Sequence, residues 1–176
     1  MRAFIAIDLP EPARAVVRAL QQPLPCARGV RLTRPEKCHL TLKFLGEIEA
    51  ERAPALLAAL AEIREGAFEL SFTSLGTFPN ARRPRVVWIG VTRPPELDRL
   101  ARAVDRATPE VVLDKPFRPH VTLARIDGRG VRLEQSVLEQ EAPPCRFVVS
   151  EFALFESVLG AEGAKYRVLG NFSLES

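Results

Sequence analysis

The chain has 176 residues, enough for one domain with a sizeable core and too few for two large independent domains. Its 47% hydrophobic and 27% charged residues are typical of a soluble globular protein, and its net charge of +3 permits a phosphate-bearing partner without requiring one. Three cysteines without CxxC spacing exclude a disulfide framework and a zinc knuckle, which favours a reducing, cytoplasmic compartment. The apolar run 4–9 is too short for a signal peptide or a membrane span.

The first half of the chain predicts alternating strands and helices. Residues 2–8 form a buried strand, and Pro10-Glu11-Pro12 then opens a helix with one apolar face: Ala13, Val16, Val17 and Leu20. Further strands are predicted at 30–33 and at 38–45, the latter ended by Gly46 and Glu47. A second amphipathic helix has its apolar face at Ala53, Leu56, Leu57, Leu60 and Ile63.

The second half repeats this alternation. Strands are predicted at 68–72 and 86–91, separated by the basic turn 79–84. Pro94-Pro95-Glu96 starts a helix that turns four residues inward: Leu97, Leu100, Ala101 and Val104. A strand at 120–126, a short helix at 133–141 and two closing strands at 146–157 and 165–174 complete the prediction.

The late hairpin-like strands argue against a simple doubly wound sheet. In each half a strand and a helix precede a histidine-bearing strand and another helix. We therefore predict a single α+β domain over residues 1–176, built of two related lobes whose histidine strands face each other across a central cleft.

Both histidines of the chain occur in one repeated tetrapeptide. His39-Leu40-Thr41-Leu42 lies in the first half and His120-Val121-Thr122-Leu123 in the second. Strand side chains alternate between faces, so each strand presents an imidazole and a hydroxyl together while its apolar residues face the core. An imidazole titrates near neutral pH, so one histidine can act as base and the other as acid, with the threonine hydroxyls donating to phosphate oxygens. This arrangement suits displacement at phosphorus and needs no metal.

Three other interpretations compete with this one. A lone histidine on a strand is more often structural, but two in matching motifs favour catalysis. A metal site is a weak alternative, because no Cys, Asp or Glu lies at ligand spacing from the two histidines. A thiol dyad of Cys38 with His39 is disfavoured, since adjacent strand residues face opposite sides.

Three segments of the chain, at residues 4–10, 39–47 and 117–125, resemble the 2H phosphoesterase family in sequence and order. The resemblance is strongest to its RNA 2',3'-cyclic phosphodiesterase branch, whose members are also called 2'-5' RNA ligases. The resemblance implies a bilobal α+β fold of antiparallel sheet and helices with both motifs in a central cleft. It implies opening of an RNA 2',3'-cyclic phosphate end to a 2'-phosphate without a metal cofactor, and the joining of such an end to a 5'-hydroxyl. By position it makes His39 and His120 the catalytic pair and Thr41 and Thr122 the phosphate ligands.

The resemblance also assigns Phe44 to base stacking and Arg125 to phosphate contact. Strand parity opposes both, because each is an odd number of residues from its histidine, and a β-bulge would be needed to turn them to the histidine face. Lys43 is an even number of residues from His39, so it should lie on the same face, where its positive charge could help to neutralise RNA. Further arginines are candidates for guiding the RNA backbone: Arg118, Arg82 and Arg83.

We expect a monomer that acts on RNA ends, with His39 as the acid toward the 3'-oxygen and His120 as the base toward water. One rival function is an RNA-binding protein that holds phosphate ends without turnover, although such proteins rely more on basic and aromatic surface. Another is an esterase for a cyclic phosphate derived from a nucleotide.

Overall fold

The computed structural model describes residues 1–113, 115–128, 130–161 and 163–176. In this part of the chain nine strands and four helices follow in the order β1 (Arg2–Asp8), α1 (Glu11–Gln21), β2 (Val30–Leu32), β3 (His39–Glu47), α2 (Ala53–Ala61), β4 (Phe68–Phe78), β5 (Val86–Val91), α3 (Pro95–Ala107), β6 (His120–Ile126), α4 (Gln135–Leu138), β7 (Arg146–Val149), β8 (Glu151–Gly160) and β9 (Gly163–Ser173). No helix in these ranges has the length and apolar character needed to cross a bilayer.

The strands form one antiparallel sheet with two similar halves. Its order is β7-β4-β5-β6-β3-β1-β8-β9, with β2 paired to the outer end of β6. The two histidine strands, β3 and β6, are the innermost strands of their halves and are joined by the Leu40–Val121 pair, which we call the central junction. The predicted α+β class with two pseudo-symmetric halves is confirmed.

The long helices are exchanged between the halves. α1 follows a strand of the first half but packs on β6 and β7, whereas α3 follows a strand of the second half but packs on β3. The buried Gln21 of α1 donates through Nε2 to the carbonyls of Thr33, at 2.6 Å, and Leu123, at 2.9 Å. Each histidine strand is therefore backed by the helix of the other half.

The two faces of the sheet differ in composition. One face and the helices share the main core, to which alternate residues of β1 contribute: Ala3, Ile5 and Ile7. Phe4 and Ala6 of β1 point to the opposite face and form a smaller apolar cluster with Ala153 and Phe155 of β8. The side chains that flank the histidines lie on this second face.

The predicted elements are present, with differences at their ends. β3 continues past Leu45, because Gly46 adopts a φ of +70° and the pairing with β1 extends to Glu47. The predicted strand 146–157 is two strands, because the chain leaves the partner β4 after Val149, pairs with β9 from Glu151 and joins β1 from Ala153. Smaller differences are a longer β4, a one-turn α4, Ile63 outside α2, and Ala103 buried in α3 in place of Ala101.

Candidate active site

The two His-x-Thr segments lie side by side at the centre of the sheet. The central junction aligns β3 and β6 antiparallel, and the apolar residues of both motifs are in the core: Leu40, Leu42, Val121 and Leu123. The histidines and threonines are half-buried on the opposite side of the sheet, which we call the histidine face.

Each imidazole is held by the backbone carbonyl two residues before it. His39 Nδ1 lies 2.8 Å from the oxygen of Lys37, and His120 Nδ1 lies 2.6 Å from the oxygen of Arg118. A carbonyl oxygen only accepts hydrogen bonds, so Nδ1 carries the hydrogen in both rings. Nε2 is thereby the nitrogen that accepts a proton in the neutral ring and donates one in the imidazolium.

Both imidazoles have a lowered pKa. Burial is the main cause in each case, and the hydrogen bond to the backbone carbonyl opposes it. The positive charge of Arg125 lowers the pKa of both rings, and that of His39 is lowered further by His120. The neutral rings are therefore favoured in the free protein, and Arg125 is close enough to act on both.

The two histidines differ in their carboxylate neighbour. Asp8 of β1 pairs with His39 in the sheet and raises its pKa, whereas the partner of His120 in β5 is Gly90. The Asp8 carboxylate is fixed by Arg14, whose Nη2 lies 2.9 and 3.0 Å from its two oxygens. A carboxylate thus opposes the lowering of the pKa at His39, and none among the described residues does so at His120.

Aromatic rings surround both imidazoles, which the sequence did not predict. The Phe4 ring stacks on His39 at 4.8 Å between centroids, and Tyr166 meets His39 edge-on at 5.4 Å. Phe78 meets His120 edge-on at 5.0 Å, with Trp88 tilted at 6.1 Å. Phe4 lies in the first of the three family-like segments, but only the sheet register reveals that it touches His39.

A β-bulge in each histidine strand brings a further residue to the histidine face. The β1–β3 register shifts between Ile5 and Ala6, so Phe44 pairs with Phe4 on the same face as His39. The β5–β6 register shifts between Val87 and Trp88, so Arg125 lies on the same face as Thr122. Both side chains are exposed.

Lys43 is on the other face, contrary to prediction. The bulge that turns Phe44 outward turns Lys43 into the core, where it is 2% exposed. Its Nζ lies 2.5 Å from Asp105 Oδ1 and 3.0 Å from the carbonyl oxygen of Thr108, at the end of α3. Lys43 joins β3 to α3 and does not face the histidines.

The remaining candidates have different settings. Arg118 is exposed, and its carbonyl holds His120. Arg82 and Arg83 are exposed in the turn between β4 and β5, where both backbone N–H groups donate to Asn80 Oδ1. Cys38 is buried away from His39, with Sγ 3.5 Å from the carbonyl oxygen of Thr122, and burial raises the pKa of its thiol to about 12. That thiol is not an available nucleophile.

In the described ranges, no three His, Cys, Asp or Glu side chains are grouped so as to hold a metal ion. The groups that converge on the histidine face are two imidazoles, two hydroxyls, a guanidinium and a set of aromatic rings. Such a set can move protons and bind an anion next to a flat apolar ligand.

The repeated organisation of the chain is also found by comparison with known families. A family model described as LigT-like phosphoesterase matches residues 7–88 and, a second time, residues 89–166, so that each match contains one His-x-Thr segment. The chain belongs to the LigT-like phosphoesterase family. This confirms the resemblance to 2H phosphoesterases.

Several members of this family are similar to this chain over almost the whole length of both proteins. An RNA 2',3'-cyclic phosphodiesterase of Archaeoglobus fulgidus is 34% identical over 98% of this chain and 99% of its own. One from Thermus thermophilus is 36% identical over 99% and 90%, and one from Escherichia coli is 32% identical over 98% and 96%.

Solved structures of the family share the fold. A crystal structure of a Thermus thermophilus protein superposes with a TM-score of 0.84 at 33% identity, covering 98% of this chain and 97% of that one. The crystal structure of Escherichia coli LigT complexed with 3'-AMP has a TM-score of 0.82 at 30% identity, covering 99% and 98%.

Proposed function

We propose that the protein hydrolyses RNA 2',3'-cyclic phosphate ends to 2'-phosphates by two-histidine acid–base catalysis, without a metal. The observation that carries this proposal is the matched pair of imidazoles, each with Nδ1 bonded to a carbonyl and Nε2 left for proton transfer. The names of the full-length relatives support RNA as the substrate, and so does the 3'-AMP complex of LigT.

The reaction balances as an in-line displacement at phosphorus. His120 Nε2 accepts a proton from the attacking water as its oxygen bonds to phosphorus. The bond from phosphorus to the 3'-oxygen breaks, and His39 donates its Nε2 proton to that oxygen. The products are a 2'-phosphomonoester and a free 3'-hydroxyl.

The different neighbours of the rings support this assignment of acid and base. The acid must carry a proton before the reaction, and Asp8 favours the imidazolium of His39. No carboxylate among the described residues raises the pKa of His120, which suits it to remain neutral as the base. The same pair would keep these roles when a 5'-hydroxyl replaces water as the nucleophile, since the 3'-oxygen is again the leaving group and the product is a 2'-5' linkage.

The other residues of the histidine face bind the substrate in this proposal. Thr41 and Thr122 donate to the nonbridging phosphate oxygens, and Arg125 neutralises their charge. The Phe44 ring, 53% exposed, offers a surface for the terminal base. Arg118 guides the backbone. We further propose a cytoplasmic monomer comprising one domain over residues 1–176.

The test is a product analysis in EDTA. Purified protein is incubated with a short RNA ending in a 2',3'-cyclic phosphate, and the position of the product phosphate is determined. The proposal predicts a 2'-phosphate from the unmodified protein, formed at least about 100-fold more slowly by His39→Ala or His120→Ala. Tight binding of the RNA end without turnover would instead support an RNA-binding role, and neither binding nor turnover would point to another cyclic phosphate.

A further inference from the structure

A cavity adjoins His39 on the side away from the central junction. It has a volume of about 450 Å³ and lies between the start of β3 and the β8–β9 hairpin. Phe155, Tyr166 and Val168 supply its apolar lining, and Lys37 and Lys165 supply positive charge. None of these five side chains has a role in the proposed hydrolysis.

The apolar lining of this cavity continues the aromatic cluster around His39. Tyr166 is 38% exposed and meets the Phe4 ring edge-on at 5.0 Å. Phe44, on the other side of the cluster, meets the same Phe4 ring at 6.2 Å. A single buried ring thus joins two exposed aromatic surfaces, and each of these can stack a base.

The charge of the cavity favours a phosphate. Of its two carboxylates, Asp8 is bound by Arg14, and Glu36 lies 4.0 Å from Arg18, which also pairs with Glu11. Lys165 makes no ion pair with the described carboxylates, and the cavity also contains the cation of Lys37. The Nζ of Lys37 donates one hydrogen bond to the carbonyl of Ala164, at 2.6 Å, which fixes the hairpin and leaves two N–H groups.

We propose that this cavity binds the second nucleotide of the RNA, the one on the 5' side of the cyclic-phosphate nucleotide. A cyclic end has no 3' neighbour, so a second nucleotide extends only in this direction. Its base stacks on Tyr166, and the phosphate that links the two nucleotides lies near Lys165 and Lys37. The inference rests on the proposed function and adds that the enzyme prefers an oligonucleotide end to a cyclic mononucleotide.

The test compares kcat/KM for two substrates, adenosine 2',3'-cyclic phosphate and the dinucleotide adenylyl-adenosine that carries the same cyclic end. We expect the dinucleotide to be preferred about tenfold, the effect of stacking one further base. Lys165→Ala should remove most of this preference by raising KM for the dinucleotide alone. Lys115→Ala is the matched control, since Lys115 is an exposed lysine that lines a different cavity, beside α3.

The Tyr166 ring also touches His39, so its substitution could lower kcat/KM for both substrates. Tyr166 is therefore tested by the ratio of kcat/KM for the dinucleotide to kcat/KM for the mononucleotide. Tyr166→Ala should abolish the dinucleotide preference, and Tyr166→Phe should keep it. Equal kcat/KM for both substrates in the unmodified protein would overturn the subsite while leaving the proposed function intact. An equal loss in the Lys165 and Lys115 variants would also overturn it, and no turnover of either substrate would overturn the proposed function and the subsite together.

Discussion

At the scale of single residues, the two imidazoles are nearly equivalent in geometry and unequal in charge environment. Both are tethered through Nδ1 and both are partly buried beside aromatic rings. Only His39 has a carboxylate as its sheet neighbour, where His120 has Gly90. A repeated motif thus supplies two copies of one group, and the residue opposite each copy in the neighbouring strand gives the two rings different electrostatic surroundings.

The lowered pKa of both histidines predicts a pH-dependent stability. The folded protein binds fewer protons than the unfolded chain once the pH falls past 6.5, so the free energy of unfolding should decrease below that pH and level off above it. Urea denaturation at about pH 7.5 and about pH 5.5 measures the effect. Because the chain has only these two histidines, a His39→Gln/His120→Gln double variant is the control. An unchanged pH dependence in that variant would assign the effect to other groups.

Phe44→Ala tests the proposed base contact. The ring is 53% exposed, so its loss should change stability little while KM for the cyclic-phosphate RNA rises about tenfold. Phe44→Tyr, which keeps an aromatic surface, should retain the KM of the unmodified protein. Steady-state kinetics on both variants checks this, and an unchanged KM in Phe44→Ala would remove Phe44 from the binding site.

At the scale of elements, the two β-bulges decide which side chains lie on the histidine face. Without the bulge in β3, Lys43 would lie on the histidine face and Phe44 in the core. The ion pair of Lys43 with Asp105 and the hydrogen bond to the Thr108 carbonyl hold that bulge against α3. A helix from the second half thereby maintains the arrangement of the first histidine strand.

Removing the carboxylate of this pair should cost more stability than removing the lysine. Asp105→Asn leaves a buried ammonium with reduced compensation, so we expect a loss of about 1–3 kcal/mol. Lys43→Met keeps a side chain of similar length and removes the buried charge. Because Asp105 is largely exposed, its carboxylate stays solvated without the lysine, and the loss of stability should be smaller. Urea denaturation compares the two variants. A larger loss in Lys43→Met than in Asp105→Asn would contradict this account of the pair.

Trp88 depends on a glycine in the neighbouring strand. A Cβ at Gly76 would overlap Cζ2 of Trp88, so Gly76→Ala must displace the indole ring that stands beside His120. We expect a loss of about 1–3 kcal/mol in stability and a shift in the emission of the only tryptophan. Gly66→Ala is the control, because the nearest atom to its Cβ would be 4.0 Å away. Unchanged emission in Gly76→Ala would refute this packing.

At the scale of the whole molecule, the exchange of helices explains how two similar halves form one site. The central junction is a single residue pair, Leu40 with Val121, which alone would hold the histidine strands weakly. α1 and α3 cross to back the opposite strand, so the relative position of the imidazoles depends on the packing of both halves.

Much of this arrangement follows from local sequence patterns. The alternation in 39–42 and 120–123 correctly placed the histidines and threonines on one face, because strand geometry has a period of two residues. Apolar spacing and prolines located the starts of α1 and α3. These features depend on neighbours in the chain.

The remainder depends on contacts between distant segments. Simple parity placed Lys43 wrongly, because a bulge is visible only in the register with β1. At residue 150 the chain passes from one half of the sheet to the other, but the sequence around it predicts one continuous strand over 146–157. The contacts of Phe4, Tyr166, Phe78 and Trp88 with the histidines likewise arise only when the strands pair.

The central claim is that His39 and His120 form an acid–base pair, and the dependence of kcat/KM on pH tests it most directly. The unmodified protein should give a bell-shaped profile on a cyclic-phosphate substrate, rising as His120 loses its proton and falling as His39 loses its own. Residual activity of His39→Ala should lack the falling limb, and that of His120→Ala should lack the rising limb. A profile that keeps both limbs after either substitution would contradict the two-histidine mechanism.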